Sequence, residues 1–131
     1  KLNIMTPEVN TLNWFEIPVV DMNRAKKFYE TIFDIEMPVM EMMGMKTAFF
    51  PGEGKNGKVS GGLAESPQHK PSADGAKIYL NGNPDLSIPL SKVEAAGGKV
   101  VMPKTKISDE IGYMAFFVDT EGNAGALHSN N

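Results

Sequence analysis

The sequence predicts an α+β fold: one domain over residues 1–131 made of two paired βαβββ modules, residues 12–65 and 75–129. Three observations carry this expectation. First, a strand-like run over residues 12–20 leads through Asp21, a good helix-capping type, into an apolar stripe of helical spacing. Second, the same order of strand, turn and apolar stripe returns from Lys77. Third, a Phe-Phe pair recurs late in each half, at Phe49-Phe50 and Phe116-Phe117, each followed by a Gly-containing turn and a final strand. One module alone covers one face of a four-stranded sheet. Two side by side make a curved eight-stranded mixed sheet, with helices on the convex side and a trough on the other.

The elements follow in order. In the first strand Phe15, Ile17 and Val19 alternate with Trp14, Glu16 and Pro18, so the apolar set lies under a helix and the mixed set faces the trough. Met22, Ala25, Phe28, Tyr29, Ile32 and Phe33 form that helix's buried stripe. The run IEMPVMEM is a second strand, held near an edge by Pro38, and KTAFF is a third beyond Gly44. PGEGKNG is a turn, and KVSGGLAE a fourth strand whose Gly61 and Gly62 mark a bulge or a ligand's close approach. After a loop at 66–75, the second module is expected as a strand at 77–81, a helix at 88–96, and strands at 99–107, 112–118 and 124–128. The helix stripe is Leu86, Leu90, Val93 and Ala96 or Gly97, with Gly97 and Gly98 as the stop, and Pro103 interrupts the strand that follows.

Composition excludes several classes. No cysteine is present, which removes disulfides and thiol chemistry and suits a reducing, cytoplasmic setting. A net charge of −3 with scattered basic residues argues against nucleic acid and anionic membrane. No apolar run reaches membrane-spanning length. The sequence begins at Lys1 without a charged-then-apolar leader, which leaves room for an upstream piece. Nine methionines are many for this length, and core filling is the favoured reading of them. No phosphate loop or dinucleotide fingerprint occurs, and no Ser or Cys stands in a nucleophile setting.

The stretches WFEIPVVDMNRAKKFYETIF, VEAAGGKVVMP and DTEGNAGALHS, in this order, resemble the vicinal oxygen chelate superfamily. That group includes glyoxalase I, extradiol dioxygenases and bleomycin-resistance proteins. The resemblance spans residues 12–129. It implies this fold, homodimers, and often one divalent metal held by His, Glu or Gln from the first and last strands of each half. Carried over by position, those ligands fall on Trp14, near Gly62, on Lys77 and on Ala126, none of which binds a cation. The expectation is therefore no metal and no cofactor.

The trough-facing candidates for ligand binding are Trp14, Glu16, Lys77, Tyr79, Asn81 and His128. Trp14 and Tyr79 suit stacking on a flat molecule. Lys77 suits a ligand carboxylate or phosphate, or a pair with Glu16 across the pseudo-twofold. Glu16 and His128 are the candidate acid–base residues. His69 lies in a polar loop and is read as exposed and without a role. The expected function is a glyoxalase-related, metal-free protein that binds a small organic molecule. The alternative is a metal-dependent or acid–base lyase or isomerase of the glyoxalase type, or a dioxygenase-like enzyme. A homodimer is expected, with residues 37–45 as an interface or pocket wall.

Overall fold

The computed structural model describes residues 5–53 and 58–131, so part of the predicted 51–57 turn lies outside the described residues. The elements are β1 (Trp14–Pro18), α1 (Met22–Phe33), β2 (Val39–Met42), β3 (Met45–Phe49), β4 (Ser60–Glu65), β5 (Tyr79–Asn81), α2 (Ser87–Leu90), β6 (Lys99–Ser108), β7 (Gly112–Val118) and β8 (Ala124–Ser129). Two βαβββ modules are present, as the sequence predicts. Their strands hydrogen-bond as two four-stranded sheets, β1-β4-β3-β2 and β5-β8-β7-β6. In each sheet the module's first strand runs parallel to its last, and the other neighbours are antiparallel.

Helix α1 starts just after Asp21, whose backbone is extended and whose side chain accepts from the Arg24 amide at 3.1 Å. Glu65 Oε1, at the end of β4, accepts from the Met22 amide at 2.8 Å, so the module's last strand also caps its helix. Asp34 ends the helix in the left-handed region at φ 53°. The predicted stripe is buried, except that Phe33 is only half-buried. It reaches both modules. Tyr29 lies 5.6 Å from Phe50, Phe28 lies 6.0 Å from Phe117, and Tyr29 Oη donates to Asp119 Oδ2 at 2.7 Å.

The second module departs from expectation in two places. The helix predicted over 88–96 stops at Leu90. Beyond it the chain turns tightly through i→i+3 bonds, Lys92 to Pro89 and Val93 to Leu90, and Gly98 closes on Val93 at 2.9 Å. Leu86 and Val93 are fully buried all the same, so the apolar pattern gave the right face and the wrong length. Strand β5 is also shorter than predicted, and Lys77 precedes it. Pro103 lies within β6, where the register shifts between Met102 and Thr105.

Gly61 and Gly62 mark no bulge, because β1 and β4 pair without a break from Trp14↔Ser60 to Pro18↔Ala64. A Cβ on Gly61 would stand 2.4 Å from the Phe15 carbonyl oxygen, and one on Gly62 would stand 2.6 Å from that of Ala48. The glycines admit the protein's own backbone. Core filling explains Met22 and Met37, which are buried, but not Met40, Met42 and Met43, which are exposed.

Candidate functional site

The pairing registers place side chains on the trough face. Across the first sheet Glu16, Gly62 and Phe49 lie in one row. Across the second, Tyr79, Ala126 and Phe116 form a row, and Asn81, His128 and Met114 the next. Between β1 and β5 runs a cleft of about 770 Å³, lined by Trp14, Glu16, Lys77, Tyr79 and Asn81 together with apolar residues such as Phe15, Phe33 and Phe50. Five of the six predicted ligand-binding residues thus share one cavity. A smaller chamber of about 260 Å³ continues past Glu16 beneath the inter-module loop, against Ile17, Ile78, Lys70 and Ser72.

Trp14 packs its ring 6.0 Å from Phe49, and its Nε1 donates to Glu16 Oε2 at 3.4 Å. Tyr79 meets Phe116 edge-on at 6.1 Å. Both rings keep much of their surface exposed, at 39% for Trp14 and 50% for Tyr79. Phe49 and Phe116, one from each of the repeated Phe-Phe pairs, back the two cleft rings.

Three readings of the polar groups need correction. His69 is half-buried rather than free: Nε2 lies 2.7 Å from Glu16 Oε1, and Nδ1 lies 2.7 Å from Ser66 Oγ. In the tautomer that donates from Nε2 to the carboxylate, Nδ1 accepts the Ser66 hydroxyl. Lys77 does not pair with Glu16. Its Nζ lies 4.1 Å above the Phe116 ring, where the ring's negative face holds a cation. His128 does not join Glu16 as an acid–base partner, since its Nε2 sits 2.7 Å from the Ile111 carbonyl and it does not line the cleft. Asn81 lines the cleft while its Oδ1 accepts from the Asn83 amide at 2.9 Å.

The local pattern did hint at part of the His69 site. Residues 66–69 form a turn, with the His69 amide donating to the Ser66 carbonyl at 3.1 Å. The contact to Glu16, 53 residues away in sequence, had no local signature.

A divalent metal of the kind this family often carries does not fit these residues. Trp14 offers only an N–H donor, Lys77 a positive charge, and Gly62 and Ala126 nothing. Among the described residues no group of three or more His, Cys, Asp or Glu side chains converges.

The model of the Glyoxalase/Bleomycin resistance protein/Dioxygenase superfamily matches residues 11–126. The chain belongs to that superfamily. A glyoxylase-like domain-containing protein of Didymella fabae is 31% identical over 126 residues, covering 88% of this chain and 91% of the relative. The chain spans about half, 46%, of the length of two mycobacterial relatives at 30% identity. Among solved structures, a glyoxalase/bleomycin resistance protein of Albidiferax ferrireducens superposes with a TM-score of 0.71 at 16% identity, covering 93% of this chain and all of that one. TnmS3, an antibiotic binding protein from Streptomyces, superposes at 0.67 with 20% identity, covering 96% of this chain and all of that one. These two likenesses show the superfamily's fold. No helix among the described residues is long and apolar enough to cross a membrane.

Proposed function

We propose that this glyoxalase-superfamily protein binds a small, flat organic molecule in the cleft between β1 and β5, without a catalytic metal, as a cytoplasmic homodimer. The observation that carries the reading is the pair of half-exposed rings, Trp14 and Tyr79, lining one cavity of about 770 Å³ with Lys77 beside them. That volume lies in the range of ligand pockets, which runs to about 1,000 Å³. Two rings give stacking faces, and Lys77 gives a carboxylate or phosphate a partner. The antibiotic-binding activity of TnmS3 supports the same use of the fold.

Trp14 is the only tryptophan, so its fluorescence reports the site directly. Titration with a panel of aromatic carboxylates and phosphates is expected to quench Trp14 and raise Tm with ligand concentration. Lys77→Ala is expected to weaken anionic members by about tenfold, the order of one charge-assisted contact, and leave neutral ones unchanged. A panel that neither quenches Trp14 nor shifts Tm overturns the reading. Sedimentation velocity tests the homodimer.

The contact between Glu16 and His69 favours a second reading, acid–base catalysis of the lyase or isomerase type. Glu16 would take a proton from a carbon beside a ligand carbonyl, with His69 holding the carboxylate in place. Deuterium uptake from solvent into a bound ligand, abolished in Glu16→Gln, supports that reading. A bound ligand that exchanges no proton removes it.

A further inference from the structure

The hairpin of β2 and β3 carries a feature that the cleft does not use. Met40, Met42, Met43 and Met45 crowd into six residues, joined by a two-residue turn at Met43 and Gly44. Cross-strand pairing sets Met42 opposite Met45 and Met40 opposite Thr47. Residues of one strand alternate faces, so Met40, Met42 and Met45 share a single face. Paired Cβ atoms stand about 5 Å apart and diagonal neighbours about 7–8 Å, within reach of side chains with three rotatable bonds. The charged pair of this hairpin, Glu41 opposite Lys46, lies on the other face.

Two observations set these methionines apart from packing residues. Met40 is 52% exposed and Met42 45% exposed, on a strand at the edge of its sheet. Edge strands are ordinarily blunted by charge or proline; Glu41 on this strand and Pro38 just before it do that, and exposed thioethers stand beside them. Met43, 98% exposed at the tip, holds φ 54°, a left-handed conformation suited to Asn or Gly and costly for a long side chain. The chain thus keeps a methionine where backbone preference opposes it and no packing rewards it.

We propose that this hairpin face is a soft-cation site, with the thioethers of Met40, Met42 and Met45 as ligands for Cu(I). Thioether sulfur is a soft, uncharged donor that selects Cu(I) over hard or borderline cations. On the hairpin this face carries Thr47 and Phe49 beside the methionines and no carboxylate or imidazole, so it offers little to Mg²⁺, Ca²⁺ or Zn²⁺; Glu16, on the same sheet face, stands on β1 at the opposite edge. Each methionine has three rotatable side-chain bonds, so three thioethers at these spacings can converge on one monovalent ion. Methionine has no proton to lose, so binding is independent of pH, unlike a site built on histidine. The site is separate from the cleft and does not depend on what the cleft binds.

The test titrates the full chain with Ag⁺, a redox-inert soft ion, and with Cu(I) kept reduced by ascorbate without oxygen. The expected result is one ion per chain, with equal affinity at pH 5.5 and pH 7.5 and no uptake of Zn²⁺. In protein labelled at the methionine methyls, the signals of Met40, Met42 and Met45 shift and those of buried Met22 and Met37 stay. The Met40→Leu, Met42→Leu, Met45→Leu triple variant keeps the apolar volume, and its fold is verified by circular dichroism. It should lose more than about tenfold in affinity, the least expected when a direct ligand is removed, given what second-shell losses cost. Equal uptake by the wild type and the folded triple variant overturns the proposal. So does binding that weakens at pH 5.5, which assigns the ion to His69 or His128. If the triple variant does not fold, the methyl shifts in the wild type settle the matter: shifts spread over all methionines, or none, also overturn it.

Discussion

The two modules share their backbone plan and differ in how much core each supplies. Gly61 and Leu63 of β4 stand where Gly125 and Leu127 stand in β8, and both leucines are fully buried. In each module the last residue of the last strand caps the module's own helix, Glu65 Oε1 on the Met22 amide and Ser129 Oγ on the Leu86 amide. Yet α1 has 12 residues and α2 has four. Helix α1 serves both sheets through Phe28 and Tyr29, while the second module returns a capping group. Glu121 Oε1 accepts from the amides of Val20 and Asp21, and the same carboxylate pairs with Arg24 at 2.7 Å. A repeat therefore preserves the positions where backbone geometry allows few residue types, and lets the bulk of the core migrate to one side.

The strongest test of that asymmetry is Phe28→Ala. Loss of a buried ring is expected to cost about 3–5 kcal/mol and to lower the stability of both modules in one transition. Urea unfolding followed by Trp14 fluorescence for the first module and by amide exchange in β7 for the second checks this. Two separate transitions would mean that the modules are independent after all.

Next come the matched glycines. A Cβ at Gly61 meets the Phe15 backbone oxygen at 2.4 Å, whereas one at Gly125 meets the Phe117 ring at 2.5 Å. A ring yields more readily than a paired backbone. Gly61→Ala should fall near the upper end of about 1–3 kcal/mol and Gly125→Ala near the lower end. Equal costs would show that the Phe117 ring, wedged against Phe28, is as rigid as a strand.

The smallest effect is at the reciprocal cap. Burial of the Glu121 carboxyl favours its neutral form, but hydrogen bonds from Arg24, Asp21 and Val20 outweigh this and hold its pKa at about 2, below the ordinary 4.5. Stability from this group is complete above pH 4.5 and is lost as pH falls toward 2. Glu121→Gln should cost about 1 kcal/mol at neutral pH, the difference between charged and neutral hydrogen bonds, and flatten the acid limb of a Tm-against-pH curve. An unchanged acid limb would remove the second module's electrostatic hold on α1.

Strands, turns and the first helix were legible because they follow from local chemistry. Asp21 caps, the 22–33 stripe repeats at helical spacing, and residues 112–118 form the strand read from their pattern. The second helix was misjudged because its stripe is as well satisfied by tight turns anchored at Val93 and Gly98 as by a regular helix. Of the site, Trp14, Glu16, Tyr79 and Asn81 followed from strand alternation, whereas Phe15 and Leu80, on the opposite face, line the cleft too because it opens at the seam between the two sheets. The partners of its charged groups did not, since Glu16 meets His69 and Lys77 meets Phe116 through chain segments far apart.

By itself, the sequence determined the order of elements, the face each presents and the donor types available along each strand. Those depend on periodicity of two or 3.6 residues and on side-chain donor chemistry, both readable within a short window. Only the tertiary structure decided that His69 grips Glu16, that Met40, Met42 and Met43 stand in solvent, and that one helix covers both halves. Such facts depend on which distant segments meet, and the meeting is set by the packing of the whole core rather than by any stretch of it.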